Sequence, residues 1–194
     1  TDTATITVNA SGQNDAPTAA INTVTTNEDT TYTFTADDFN FSDVDGDTLS
    51  SVTVSVLSGS AGTFSLNGVA ITGSTTVTKA QIDSGLLKFA PDSNENGSDY
   101  NTFTFTVNDG TTDSASSYTM TVAVTPVNDA PVADDETGGV NEDATLDVSD
   151  GTSDVLHGDT DVDSGDTLTV TTYSHTSATD ESSGTASSGN GNSG

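Results

Sequence analysis

The sequence predicts an all-β protein, a Greek-key β-sandwich repeated in tandem, and three observations point there. Apolar residues recur at alternate positions in short runs, as in 52–56 and 103–107, which marks strands with one buried face. Turn residues punctuate these runs, among them Asn67-Gly68, Asp109-Gly110, Pro17 and Pro91. Several motifs then return in the same order at a nearly constant displacement, the mark of a repeat architecture. Thr, Ser and Val suit half-buried strands better than helices.

The displacement is read from three landmarks. Asn14-Asp15-Ala16-Pro17 returns as Asn128-Asp129-Ala130-Pro131, and Asn27-Glu28-Asp29 as Asn141-Glu142-Asp143, both 114 positions on. Asp43-Val44-Asp45-Gly46-Asp47-Thr48-Leu49 returns 118 positions on as Asp161-Val162-Asp163-Ser164-Gly165-Asp166-Thr167-Leu168. The second copy therefore carries a small insertion, placed near 149–157. Residues 1–13 are expected to be the last strand of a preceding repeat and 14–127 a complete sandwich. Residues 128–194 would be the N-terminal part of a following repeat, with a flexible Ser/Gly-rich tail over 182–194 that can bury too little surface to order itself.

In chain order, 2–8 alternate like a final strand and match 117–124, and Pro17 ends that segment because proline removes a ladder donor. The complete repeat opens with strands over 19–25 and 31–36, the second placing Tyr32 and Phe34 on one face. Phe39 and Phe41 are expected to plug one end of the core. A strand over 51–57 aligns Val52, Val54 and Val56. Asn67-Gly68 predicts a two-residue hairpin between 62–66 and 69–72. The stretch 76–85 contains the one helix-like patch, a single turn at Lys79-Ala80-Gln81-Ile82. Strands follow over 86–90, over 102–107 with Phe103, Phe105 and Val107 inward, and over 117–125 with Tyr118, Met120, Val122 and Val124 inward. Beyond Pro131, strands are expected over 145–148 and 167–173.

Thirty Asp and Glu against Lys79 and Lys88 give a net charge of −28. Such a chain repels nucleic acid, anionic membrane surfaces and itself when compact. No apolar run reaches the length of a membrane span, and no signal peptide opens the sequence. Neither absence bears on localisation if the chain is a window cut from an array. With no Cys, disulfides and thiolate chemistry are excluded, which leaves cation binding as the staple for a secreted module. The chain is not read as an enzyme. His157 and His175 lie in different loops without zinc-ligand spacing, and no acid pair sits in a recognisable apolar cleft.

Strand direction distributes the acids. If the chain enters the sandwich at Pro17 and the first strand runs away from that end, the second returns to it. Asp43, Asp45 and Asp47 then share the incoming end with Asp15. The last strand must run outward to deliver Asn128-Asp129, so its partner returns and brings Asp109 to the incoming end. Glu28, Asp99 and Asp129 fall at the other end, where Asp161, Asp163 and Asp166 of the next repeat would join them. The direction of 62–90 stays open on this reasoning. Any single Asp here reads equally as a solvated surface group. Clustered carboxylates, however, repel by ~1–4 kcal/mol per pair near a surface. A hard dication taking roughly six to eight oxygens removes that cost, and the donor set suits calcium better than magnesium. The loop is not an EF-hand, since Gly46 is fourth from Asp43 and Val54 occupies the twelfth position.

The Asn-Asp-Ala-Pro junctions, Asn-Glu-Asp and Asp-Val-Asp-Gly-Asp-Thr-Leu resemble bacterial cadherin-like repeats, including the VCBS type, of giant repeats-in-toxin (RTX) adhesins. Phe34-Thr-Ala-Asp-Asp-Phe-Asn-Phe-Ser-Asp43, Leu66-Asn-Gly-Val-Ala70 and Asn96-Gly-Ser-Asp-Tyr100 strengthen the likeness. The resemblance implies an extracellular, cadherin-like or immunoglobulin-like tandem sandwich with calcium rigidifying its linkers. By that resemblance Glu28 corresponds to the acid near the exit linker and Asp43 and Asp45 to the Asp-x-Asp pair facing the incoming linker. Asp109 corresponds to the Asp before the final strand, and Asp15 and Asp129 to linker aspartates. Cadherin linkers carry a further acid where this chain has Thr125, Pro126 and Val127, so the resemblance implies one or two ions per junction rather than three.

The expected metal ligands are thus Asp15, Glu28, Asp43, Asp45, Asp47, Asp99, Asp109, Asp129, Asp161 and Asp163, and the expected cofactor is Ca2+. The expected function is a calcium-stiffened spacer in the stalk of a secreted or cell-surface adhesin, its partners being calcium ions and neighbouring repeats. The alternative is a module binding a glycan or protein ligand. With no Trp in the chain, Tyr100 and Tyr173 are its only candidate contacts.

Overall fold

The computed structural model describes residues 2–4, 6 and 7, 12–56, 61–135 and 155–170. The chain divides into two compact units, Thr1–Pro126 and Val127–Gly194. No helix among the described residues is long and apolar enough to cross a membrane.

The first unit holds a two-sheet sandwich. Its strands are β1 (Asn22–Asn27), β2 (Tyr32–Thr33), β3 (Ser51–Ser55), β4 (Thr63–Leu66), β5 (Val69–Ala70), β6 (Ser74–Thr78), β7 (Leu87–Ala90), β8 (Gly97–Asn108) and β9 (Tyr118–Thr125). One sheet is ordered β1-β9-β8-β3-β6 and the other β2-β7-β4-β5. β1 runs parallel to β9, in register from Asn22 opposite Met120 to Asn27 opposite Thr125. β8 runs antiparallel to both β9 and β3. The directions that sequence alone left open are also given: β6 opposes β3, and β4 opposes β7.

The predicted alternation builds the core. Phe103, Phe105 and Val107 from β8 and Met120, Val122 and Val124 from β9 are buried against Val52 and Val54, with threonines between them facing water. From the other sheet come Phe64, Leu87 and Phe89. The rings interlock. Phe34 meets Phe103 edge-on at 5.8 Å, and Phe64 meets Phe103 at 4.8 Å. Each fully buried side chain of this size contributes about 1.5–3 kcal/mol.

Local chemistry sets the turns. At the hairpin between β4 and β5, Asn67 and Gly68 have φ of 50° and 77°, the two positive values that a two-residue turn of the right twist requires. The helix-like patch is a single turn, α1 (Lys79–Asp83). Thr78 accepts from the Gln81 N–H while the Gln81 side chain accepts from the Thr78 N–H, a reciprocal cap. Ile82 anchors it in the core.

The structure departs from the sequence reading at several places. β2 is only two residues long, because the Asp38 carboxylate accepts from the Thr35 N–H at 2.7 Å and turns the chain into a 3₁₀ turn, Ala36–Phe39. That turn buries Phe39 completely and leaves Phe41 half-buried. Residues 74–78, not expected as a strand, form β6. β8 begins five residues early, since its polar start still pairs with β9 across an irregularity between Gly97 and Asn101. The described residues of 2–8 form no strand, and β9 already fills the equivalent place beside β8 in this sandwich. Of the strand expected over 167–173, residues 167–170 are not in a sheet, and the remainder lies outside the described residues. The expected strand at 145–148, the 182–194 tail and His175 also lie outside them.

Candidate metal centre

In the first unit, a two-residue bridge pins the incoming chain beside an acidic loop. The Thr18 N–H donates to the Ser42 carbonyl at 2.8 Å, and the Ser42 N–H donates back at 2.9 Å. Asp43, Asp45 and Asp47 follow directly. Asp43 Oδ1 accepts from the Asp45 N–H at 2.8 Å and the Asp47 N–H at 3.3 Å, so the loop curls around that carboxylate. Gly46, at φ 84°, supplies the reversal that a side chain would resist. As a result, one carboxylate oxygen from each of Asp43, Asp45 and Asp47 lies within 4.8 Å of the other two.

The incoming segment is tied to this loop. The Asp15 N–H donates to Asp45 Oδ2 at 2.7 Å, and the Asn14 side-chain amide donates to Asp109 Oδ2 at 3.0 Å. Asp109 sits in the turn after β8. The Thr112 N–H, then the Asn14 amide, with the Thr111 N–H adding to them, hold its carboxyl below the usual carboxylate range. The structure thus brings Asp15, Asp43, Asp45, Asp47 and Asp109 to one end of the sandwich. Asp15 joins through its backbone, and Asp109 through Asn14.

The second unit repeats this arrangement within itself. The Val132 N–H donates to the Thr160 carbonyl at 2.8 Å, and the Thr160 N–H donates back at 2.9 Å. The Asp129 N–H donates to Asp163 Oδ2 at 2.6 Å, and the Asp163 N–H to Asp161 Oδ1 at 2.9 Å. The Asn128 amide donates to the Asp129 carbonyl just as Asn14 does to that of Asp15, at 2.7 and 2.8 Å. Asp161, Asp163 and Asp166 each place an oxygen within 4.8 Å of the others. Asp161 and Asp166 also line a cleft of about 310 Å³ together with Asp129, Asp159, Leu156 and Leu168.

Two expected ligands remain, Glu28 and Asp99. Glu28 follows β1 and is 3% exposed; its N–H donates to the Thr125 carbonyl at 2.9 Å, and the Asn96 amide donates to its Oε2 at 3.1 Å. Asp99 is exposed on β8 and belongs to none of the acid groups. Sequence reasoning did not assign roles to Asn14 and Asn96, the amides that orient Asp109 and Glu28. The repetition of Asn14 as Asn128 was the available signal.

Three carboxylates this close fit a dication better than they fit each other. Asp43 adds a specific observation: its Oδ2 is shielded from water and has no hydrogen-bond partner among the described residues. An anionic oxygen left so is costly to desolvate unless a cation meets it. For the alternative reading, the Tyr100 ring packs on Phe89 at 6.1 Å, and its hydroxyl accepts from the Asp92 N–H and donates to Glu95 Oε2. Tyr100 therefore works within the fold rather than as a free contact, and Tyr173 lies outside the described residues.

The sequence matches the bacterial Ig domain family over residues 14–125. No curated protein and no solved structure matches it significantly.

Proposed function

The chain belongs to the bacterial Ig domain family, and from that premise we propose that it is a calcium-binding spacer of a large bacterial surface adhesin. Domains of this family usually belong to secreted or surface proteins and are generally non-catalytic. In this reading residues 14–127 are one complete repeat, 1–13 the last strand of the repeat before it, and 128–194 the front of the repeat after it. The observation that carries the proposal is the same set of hydrogen bonds in both units, joining an incoming Asn-Asp-Ala-Pro segment to an Asp-x-Asp loop.

Asp43, Asp45 and Asp47 would hold an ion in the first unit, and Asp161, Asp163 and Asp166 in the second. A bound cation supplies positive charge where each loop gathers three negative ones. The chain's own residues do the rest. Asp45 and Asp163 grip the backbone of Asp15 and Asp129, so neutralising the loop fixes the direction in which the chain enters each sandwich. Repeated along an array, that constraint stiffens it into a spacer. Glu28, Asp99, Asp109 and the carboxylates of Asp15 and Asp129 are further proposed ligands. Isothermal titration with calcium tests the reading: saturable binding supports it, whereas only weak, non-saturating heats would leave the acids as a solvated surface.

A further inference from the structure

The five-stranded sheet is nearly free of charge in a chain that carries 30 acids. Its only charged residue is Asp99, on the part of β8 beyond its pairing with β3. One rim of this sheet is β6, whose five residues Ser-Thr-Thr-Val-Thr contain no charge and no proline. No described strand pairs with the outer side of β6.

Exposed edges invite pairing with another chain, and proteins blunt them with short strands, lysines, prolines or covering segments. The other three edges here are managed in such ways. β2 and β5, which flank the smaller sheet, are two residues each. β1 is overlaid by its own chain: the Asn22 amide donates to the Asp38 carbonyl, and the Thr26 hydroxyl to the Thr30 carbonyl, both at 2.9 Å. Among the described residues β6 has none of these devices. Its side chains continue a hydroxyl ladder, with the Thr76 and Thr53 hydroxyls 2.9 Å apart and those of Ser74 and Ser55 3.4 Å apart.

We propose that β6 is a homotypic docking edge, at which β6 of a second copy pairs antiparallel and joins the two five-stranded sheets into one. The sequence is self-complementary for this. Two-fold pairing centred on Thr76 sets Ser74 against Thr78, Thr75 against Val77, and Thr76 against Thr76, hydroxyl and β-branched pairs that favour a sheet. Charge selects the occupant. A basic partner is drawn to the acid loops rather than to this neutral rim, whereas a second copy, repelled overall by its net charge of −28, meets no like charge along the five residues of this edge. The closed two-fold contact stops at a dimer. This inference goes beyond the calcium reading and does not depend on it.

Sedimentation of the chain over a concentration series at several salt concentrations tests the proposal. A dimer whose affinity rises with salt is expected, the reverse of what a basic partner would give. Thr76→Lys and Thr76→Glu each set like charges opposite one another and should weaken the dimer up to about fivefold, and mixing the two variants should restore it. Thr53→Lys, on the same face but one strand inward, should leave the dimer intact. Circular dichroism checks that each variant is folded, and either Thr76 variant alone is sufficient if the other is not. A monomer at every concentration in screening salt overturns the proposal. So does a dimer indifferent to Thr76, failure of the mixture to restore it, or equal sensitivity to Thr53→Lys.

Discussion

Asp45→Ala separates a calcium ligand from a charged surface residue, because Asp45 does two things at once. It contributes one of three carboxylates gathered within 4.8 Å, and it accepts the Asp15 N–H at 2.7 Å. Losing that exposed, charge-assisted hydrogen bond costs about 1 kcal/mol, which for a domain of this size lowers Tm by roughly 3–6 °C with or without calcium. The ion adds a separate term. Extracellular sites bind at ~10⁻⁴–10⁻³ M, and calcium at ten times such a constant stabilises by about 1.4 kcal/mol per site. Removing one carboxylate and weakening the site about tenfold leaves about 0.4 kcal/mol at the same concentration. The calcium-dependent rise in Tm should therefore fall from roughly 4–8 °C to roughly 1–2 °C. Asp83→Ala is the control, since among the described residues the Asp83 carboxylate makes an exposed ion pair with Lys79 at 2.6 Å and joins no acid group, a pair worth about 0.3–0.5 kcal/mol. It should leave the calcium increment intact. Melts of the three proteins in calcium and in chelator decide the matter. Equal increments in all three, or none in the wild type, would refute the reasoning.

Three further outcomes follow from the fold. Phe103→Ala, which opens the junction of the Phe34 and Phe64 rings, should cost about 3–5 kcal/mol in chemical denaturation; a loss under about 1 kcal/mol would contradict that packing. Gly62→Ala should also destabilise, because its φ is 73° and a Cβ would collide with the Phe89 ring and stand 2.8 Å from the Ala90 carbonyl; a variant as stable as wild type would refute this. Burial first, then the charge of Asp38 and the hydrogen bond to it, push the Tyr32 hydroxyl up to about 12. Because the folded value is raised, its stabilisation is complete below about 10 and is lost as pH climbs toward about 12. Burial first also raises the Tyr100 hydroxyl, so phenolate absorbance should show late-titrating tyrosine signal that Tyr32→Phe reduces, with the same variant flattening that loss; an unchanged profile would remove Tyr32 as its source.

Much of this was legible because β-strands write their burial at every second residue. Phe103, Phe105 and Val107 need no structure to be placed inward, and once strands alternate in direction, Asp43 and Asp109 must share an end. β6 was less legible for the same reason. In Ser-Thr-Thr-Val-Thr only Val77 is apolar, so no period stands out, and the strand exists through its pairing with β3. The bend after β2 was hidden because it depends on one carboxylate, that of Asp38, reaching the Thr35 N–H. In the second loop the extra Ser164 shifts the third acid by one position relative to the first copy. Asp166, aligned with Asp47 from the sequence, nevertheless completes the second group as Asp47 does the first.

The separation of charge also explains how so acidic a chain can fold. Asp is poorly suited to strands, and like charges directly opposite across a ladder destabilise it. Apart from Asp99 in β8, the acids of the described residues therefore stand outside the strands, and in the turns neighbouring backbone N–H groups solvate them: Thr111 and Thr112 on Asp109, Asp45 and Asp47 on Asp43. This relieves the sandwich but concentrates repulsion in two short loops. The apolar core does not need an ion to form, since among the described residues its packed cluster contains no carboxylate. What a cation can govern is confined to the loops and to the incoming segments they grip through Asp15 and Asp129. Calcium dependence should consequently appear in how the chain enters each unit far more than in whether the central sandwich folds, which is the behaviour a spacer requires.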